Sequence, residues 1–181
     1  MKPESASVRT RRRPRRRAFT LIETVISLLI VGLMLVATLN TVGAAKMARF
    51  KHANNSRALL LAQDLMAEIV EQDYWDPDIL GGMGPEDPED VPGNRSQFDD
   101  VDDYHGWTAA APKYRDGTAI PWAAGYKREV AVAWTDPVNL SVLKGFETGV
   151  KVIIITVTYG GQKQLTLYGL RTEAWKDPLS S

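Results

Sequence analysis

The densest chemistry in this chain is a run of carboxylates. Asp99, Asp100, Asp102 and Asp103 fall within five residues, inside Phe98-Asp99-Asp100-Val101-Asp102-Asp103-Tyr104-His105-Gly106-Trp107. Clustered carboxylate oxygens suit a hard cation such as Ca²⁺. The spacing is not that of an EF-hand: with Asp100 first and Asp102 third, Tyr104 falls fifth and His105 sixth, where that loop requires Gly. The competing reading is a solvated acidic turn at the N-terminus of a short helix, where carboxylates favour the dipole. A second carboxylate stands out for its isolation. Glu23 is the single charge in the apolar run from Phe19 to Ala45. On insertion scales a charge at the centre of such a helix costs about 2.5–3.5 kcal/mol, so the group asks for a partner or for a wet position near the headgroups.

Other chemistry is sparse. There is no cysteine, hence no disulfide and no thiolate metal site. No G-x-S-x-G and no phosphate-binding glycine loop occurs, and His52 and His105 lie far apart. His52 has Ala48 and Ser56 four residues away on either side, which offer a metal nothing. No catalytic residue is assigned, and an enzyme is not expected.

The elements that hold these groups follow from charge and hydropathy. The formal net charge of zero hides an asymmetry. Residues 1–18 hold Lys2 and seven arginines against Glu4, a net of +7, so the remainder is −7. The next 27 residues are apolar, and Thr24–Ala45 is uncharged, long enough to span a bilayer as a helix. The positive-inside rule keeps the basic segment cytoplasmic and the C-terminal part outside, in the periplasm. The arginines invite a nucleic-acid reading, but no aromatic lies among them and they abut the span. Topology and anionic lipid account for them better. A cleaved secretory signal would place its small-residue site near Gly43-Ala44-Ala45, though the run exceeds a usual signal core. Arg16-Arg17-Ala18-Phe19 also resembles a twin-arginine pattern, and a plain signal anchor is a further option.

The stretch Arg17-Ala18-Phe19-Thr20-Leu21-Ile22-Glu23 resembles the type IV prepilin signal. This resemblance, to the pilin and type II secretion pseudopilin family, explains Glu23 where the other readings do not. It implies that prepilin peptidase cuts between Ala18 and Phe19 and methylates the new Phe19 amine. Ala18 stands where the family usually has Gly. Glu23, fifth residue of the mature chain, would neutralise the Phe19 amine of a neighbouring subunit during assembly. A cation and an anion that are each costly in hydrocarbon should pair. The resemblance also adds weight to Ca²⁺, which pseudopilins often use in loops where pilus pilins use a disulfide.

Beyond Ala45, Met47, Phe50, Ala58, Leu61, Leu65 and Ile69 recur at helical spacing, and Asp76-Pro77 marks a stop. Residues 20–73 as one helix would be about 80 Å long. Asn54-Asn55-Ser56 is a point of weakness, and two helices broken there are the alternative. From Glu71 to Asp103 twelve acids meet one base, Arg95, among prolines and glycines, which reads as loop. Tyr126–Thr135, Val150–Tyr159 and Lys163–Arg171 read as strands, the last two joined by Gly160-Gly161 as a hairpin. The fold class is therefore α+β, a long N-terminal helix packed on a small, mostly antiparallel sheet. Its parts are a basic leader (1–18), a transmembrane or filament-core helix (19–45), its amphipathic continuation (46–76), an acidic irregular loop (77–125) and a sheet (126–181).

The expected function is that of a filament subunit, a minor pilin or pseudopilin of a type IV pilus or type II secretion system. Its partners would be prepilin peptidase, other subunits through residues 19–45 and inner-membrane lipid, with no nucleic acid. The alternative is a signal-anchored monomeric envelope domain that binds calcium or another ligand.

Overall fold

The computed structural model describes residues 20–76, 82–85 and 95–175. The leader, Ala18 and Phe19 lie outside the described residues, as does much of the loop between 77 and 94. One helix, α1 (Leu21–Val70), is followed by a short 3-10 turn at Asp102–Tyr104 and five strands: β1 (Thr108–Ala109), β2 (Tyr126–Thr135), β3 (Leu143–Lys144), β4 (Val150–Tyr159) and β5 (Gln162–Thr172). A second 3-10 turn covers Glu173–Trp175. The chain divides into two compact units, one up to Met47 and one from Ala48 onward.

The helix is unbroken across Asn54-Asn55-Ser56. There the Tyr126 hydroxyl donates to the Asn54 side chain and backbone carbonyl at 3.3 Å, tying that turn to β2. The alternative of two helices is thus not what forms. Strong helix formers in Ala58–Met66 carry the run onward. It ends where Gln72 folds back: its side-chain amide donates to the Glu68 carbonyl at 3.0 Å, satisfying an orphan acceptor of the last turn. Arg171 from β5 donates to the Gln72 carbonyl at 3.0 Å.

The head unit is a helix on an antiparallel sheet. The strand order is β1-β2-β4-β5, and β3 adds to β2. Tyr126 pairs with Tyr159 at one end of β2–β4 and Trp134 with Lys151 at the other. The β4–β5 hairpin turns at Gly160 and Gly161, whose φ values of 55° and 79° are those a two-residue turn of this twist requires. The three long strands agree with the sequence reading to within a residue. The two-residue β1 and β3 were not anticipated, being too short to carry a period.

The core joins Ala58, Leu61, Ala62, Leu65 and Ile69 of α1 to Val130 and Val132 of β2 and Ile153, Ile155 and Val157 of β4, with Phe98, Val101, Tyr104 and Trp107 closing one side. Leu165 and Leu167 of β5 pack against it. Gly169 lets Met66 lie directly on β5, since a Cβ there would collide with its thioether. The apolar stripe engages only from Ala58 onward: Met47 and Phe50 are 77% and 71% exposed.

Adjacent leucines separate burial from composition. Leu61 is 1% exposed and Leu60 56%. Leu61→Ala is expected to cost about 2–5 kcal/mol and Leu60→Ala within about 0.5 kcal/mol. Denaturant unfolding of the detergent-solubilised chain, followed by tryptophan fluorescence, measures both.

Candidate functional site

Two regions carry the residues singled out above. The first is the start of α1. The Thr20 carbonyl accepts from the amides of Glu23 at 3.0 Å and Thr24 at 3.2 Å, closing the first turn. Glu23 sits in that turn, where the helix dipole favours a carboxylate. Hydroxyls inside the run are satisfied internally: Thr24 donates to the Leu21 carbonyl at 2.8 Å, Thr38 to Met34 at 2.8 Å and Thr41 to Ala37 at 2.9 Å. In hydrocarbon each such group would otherwise be costly. From Leu21 to Val42 the large apolar side chains are exposed on every side. A helix apolar all round calls for apolar surroundings. It is also long and apolar enough to cross a membrane. The amine that Glu23 would meet belongs to Phe19, outside the described residues.

The second region is the acidic turn. Asp100 Oδ1 accepts from the amides of Asp102 at 2.5 Å and Asp103 at 3.1 Å. Asp103 Oδ2 accepts from the amides of Asp99 at 2.9 Å and Asp100 at 3.1 Å. These two carboxylates wrap the turn around its own backbone. Main-chain bonds then dock it to the chain just past α1: the Asp73 amide donates to the Asp99 carbonyl at 3.1 Å and the Val101 amide to the Asp73 carbonyl at 3.0 Å. Asp102 faces inward and meets Lys151 Nζ at 2.7 Å, both side chains being buried. The same ammonium donates to the Tyr74 carbonyl and stands over the Tyr74 and Trp75 rings at 4.2 and 4.9 Å. The Tyr74 hydroxyl donates to Glu147 Oε1 at 2.5 Å, which also accepts from the amides of Thr148 and Gly149.

One oxygen each of Asp100, Asp102 and Asp103 is thus engaged by backbone amides or the Lys151 ammonium. Among the described residues no group of three or more His, Cys, Asp or Glu side chains is placed to hold a metal ion. The turn is docked rather than solvated, with Asp100, Asp102 and Asp103 all buried. His105 is a structural acceptor, taking the Val132 amide at its Nδ1 at 3.2 Å. His52 is exposed on α1.

Lys151, Glu147 and Tyr74 were not singled out from sequence. The signal existed for Lys151: it shares strand phase with Ile153, Ile155 and Val157, so a charge was due on the core face. Arg128 repeats the pattern, in phase with Tyr126, Val130 and Val132. It donates to the Lys113 carbonyl at 2.6 Å and lies with Arg95 against the Trp107 ring. Arg95 grips Glu68 through two bonds of 2.6 and 3.0 Å, and Tyr104 donates to the same carboxylate at 2.9 Å.

Burial and the neighbouring carboxylates Asp103 and Asp102 push the Asp100 carboxyl up to about 7. Burial also raises Asp102, with Lys151 opposing. A carboxyl raised on folding holds its proton where the unfolded chain has lost it, so stability falls as pH rises from about 4 to about 7. Asp136, pulled down to about 2 by Lys144, works oppositely, but only below about pH 4. The head is therefore expected to melt at a higher temperature at pH 5 than at pH 8. Asp100→Asn, which keeps the acceptor oxygen, should flatten that slope. Lys151→Met strands a buried carboxylate and should cost about 3–5 kcal/mol, with part regained in Lys151→Met/Asp102→Asn. Thermal melts followed by near-UV circular dichroism read all of these.

Comparison with known proteins places one part of the chain. No curated protein and no solved structure matches it. The family model for the prokaryotic N-terminal methylation motif matches residues 13–39. That span contains Ala18, Phe19 and Glu23 and the first turns of the exposed apolar helix. The chain carries, at residues 13–39, the prepilin-type signal of type IV pilins and pseudopilins.

Proposed function

We propose that this chain is a structural filament subunit, a minor pilin or pseudopilin of a type IV pilus or type II secretion system. The observation that carries the reading is the methylation motif, with Glu23 in the first turn of a helix that exposes apolar side chains on every side. Chemistry is done to the chain rather than by it. Prepilin peptidase cuts between Ala18 and Phe19 and methylates the Phe19 amine, which removes the +7 segment. The precursor sits in the inner membrane by the helix, with the head in the periplasm. On assembly, Glu23 of the entering subunit meets the Phe19 amine of a neighbour. An ion pair formed in apolar surroundings gives direction and register to helices that are otherwise interchangeable in lipid.

Mass spectrometry of the mature N-terminus tests the processing. A chain starting at methylated Phe19 is the expected result. An intact leader, or a start near Ala45, would remove the basis of the proposal. Glu23→Ala should be cleaved and anchored as wild type yet enter filaments poorly, read by immunoblot of the sheared filament fraction.

A further inference from the structure

The head, from Ala48 onward, carries exposed charges of opposite sign at its two ends. One end is marked by the Tyr126–Tyr159 pair of β2 and β4, where Tyr126 is bonded to Asn54 of α1. Arg49, Lys51 and Arg57 stand on α1 within about 8 Å of Asn54 along the axis. Lys163 lies just past the β4–β5 turn, opposite Thr158. All four are exposed. The segments that meet there, 48–63, 119–128 and 157–166, contain no Asp or Glu.

The other end, about 30 Å away along β4, is where Val150 pairs with Thr172. The Glu173 amide donates to the Gly149 carbonyl, and Arg171 brings in Gln72 from the end of α1. Glu71, Asp73 and Glu173 are exposed at this end. Its bases are already committed: Lys151 to Asp102, Lys144 to Asp136, and Arg171 to the Gln72 carbonyl. The last turn of α1 has no basic residue, so Glu71 stands at the negative end of the helix dipole. Each end also shows an exposed aromatic, Phe50 (71%) among the bases and Phe146 (64%) next to Glu147, which holds Tyr74.

The two ends complement each other in charge, but the length of the sheet keeps them apart within one head. A lipid or nucleic-acid phosphate would use the basic end and repel the acidic one. A second copy uses both. Such a contact joins two different surfaces, and contacts of that kind repeat into open chains.

We infer that heads associate end to end: Arg49, Lys51 and Arg57 of one copy meet Glu71, Asp73 and Glu173 of the next, with Phe50 and Phe146 inside the charged rim. The contact deepens the filament reading given above, on which it rests, by naming which surfaces of the head touch.

The chain has no cysteine, so introduced ones report without background. Ala53 and Ala174 are exposed at the basic and acidic ends, too far apart for one short linker to join them within a chain. The full chain carrying Ala53→Cys/Ala174→Cys is reconstituted in phosphatidylcholine vesicles, which offer no anionic lipid, and treated with a short bismaleimide. A ladder of oligomers is expected, whereas each single variant should stay largely monomeric. Adding Arg49→Glu/Lys51→Glu should reduce the ladder by about fivefold or more, and raised salt should also reduce it. Adding Glu71→Lys/Asp73→Lys to that reversed chain should restore it, with near-UV circular dichroism unchanged throughout. No ladder, a ladder indifferent to the reversals, or dimers from the single variants as strong as the ladder overturns the contact. Processing at Phe19 without a ladder leaves the filament reading standing and removes the head contact. A ladder from a chain that cells leave unprocessed does the opposite.

Discussion

An ammonium with no exposure to water cannot stand alone, and the head is arranged around that constraint. Lys151 is 0% exposed. Desolvating it is costly unless good geometry and further hydrogen bonds offset the loss. Its partners come from separate stretches: the Asp102 carboxylate from the 3-10 turn, the Tyr74 carbonyl and two aromatic faces from the chain after α1. Tyr74 extends the network to Glu147 in the β3–β4 connection. One side chain on β4 therefore fixes where the helix exit, the acidic turn and a strand connection meet. Burial first, and then the neighbouring carboxylates Asp103 and Asp102, raise the Asp100 carboxyl.

The long elements were legible because each has a period or a stop that local chemistry enforces. Val150–Tyr159 is rich in β-branched residues, Gly160-Gly161 supplies two positive-φ positions, and no proline interrupts α1. What was not legible came from partners remote in sequence. Asn54-Asn55-Ser56 reads as a weak point in isolation, and only Tyr126, 72 residues away, shows why the helix continues. The acids at 99–103 were visible as a cluster, but their use was not, because amides and a lysine on β4 leave no mark on local composition. At the N-terminus the reverse holds. The pattern from Ala18 to Glu23 is local, and a short motif in the sequence sufficed to find it.

The two parts of α1 answer to different surroundings. Every helix residue in the core lies at Ala58 or later. The large apolar side chains from Leu21 to Val42 are exposed. Lipid tails and apolar neighbours are equivalent company for such a segment, so moving it between them exchanges like for like. Which residues the core leaves out is therefore as informative about the chain as which it takes in.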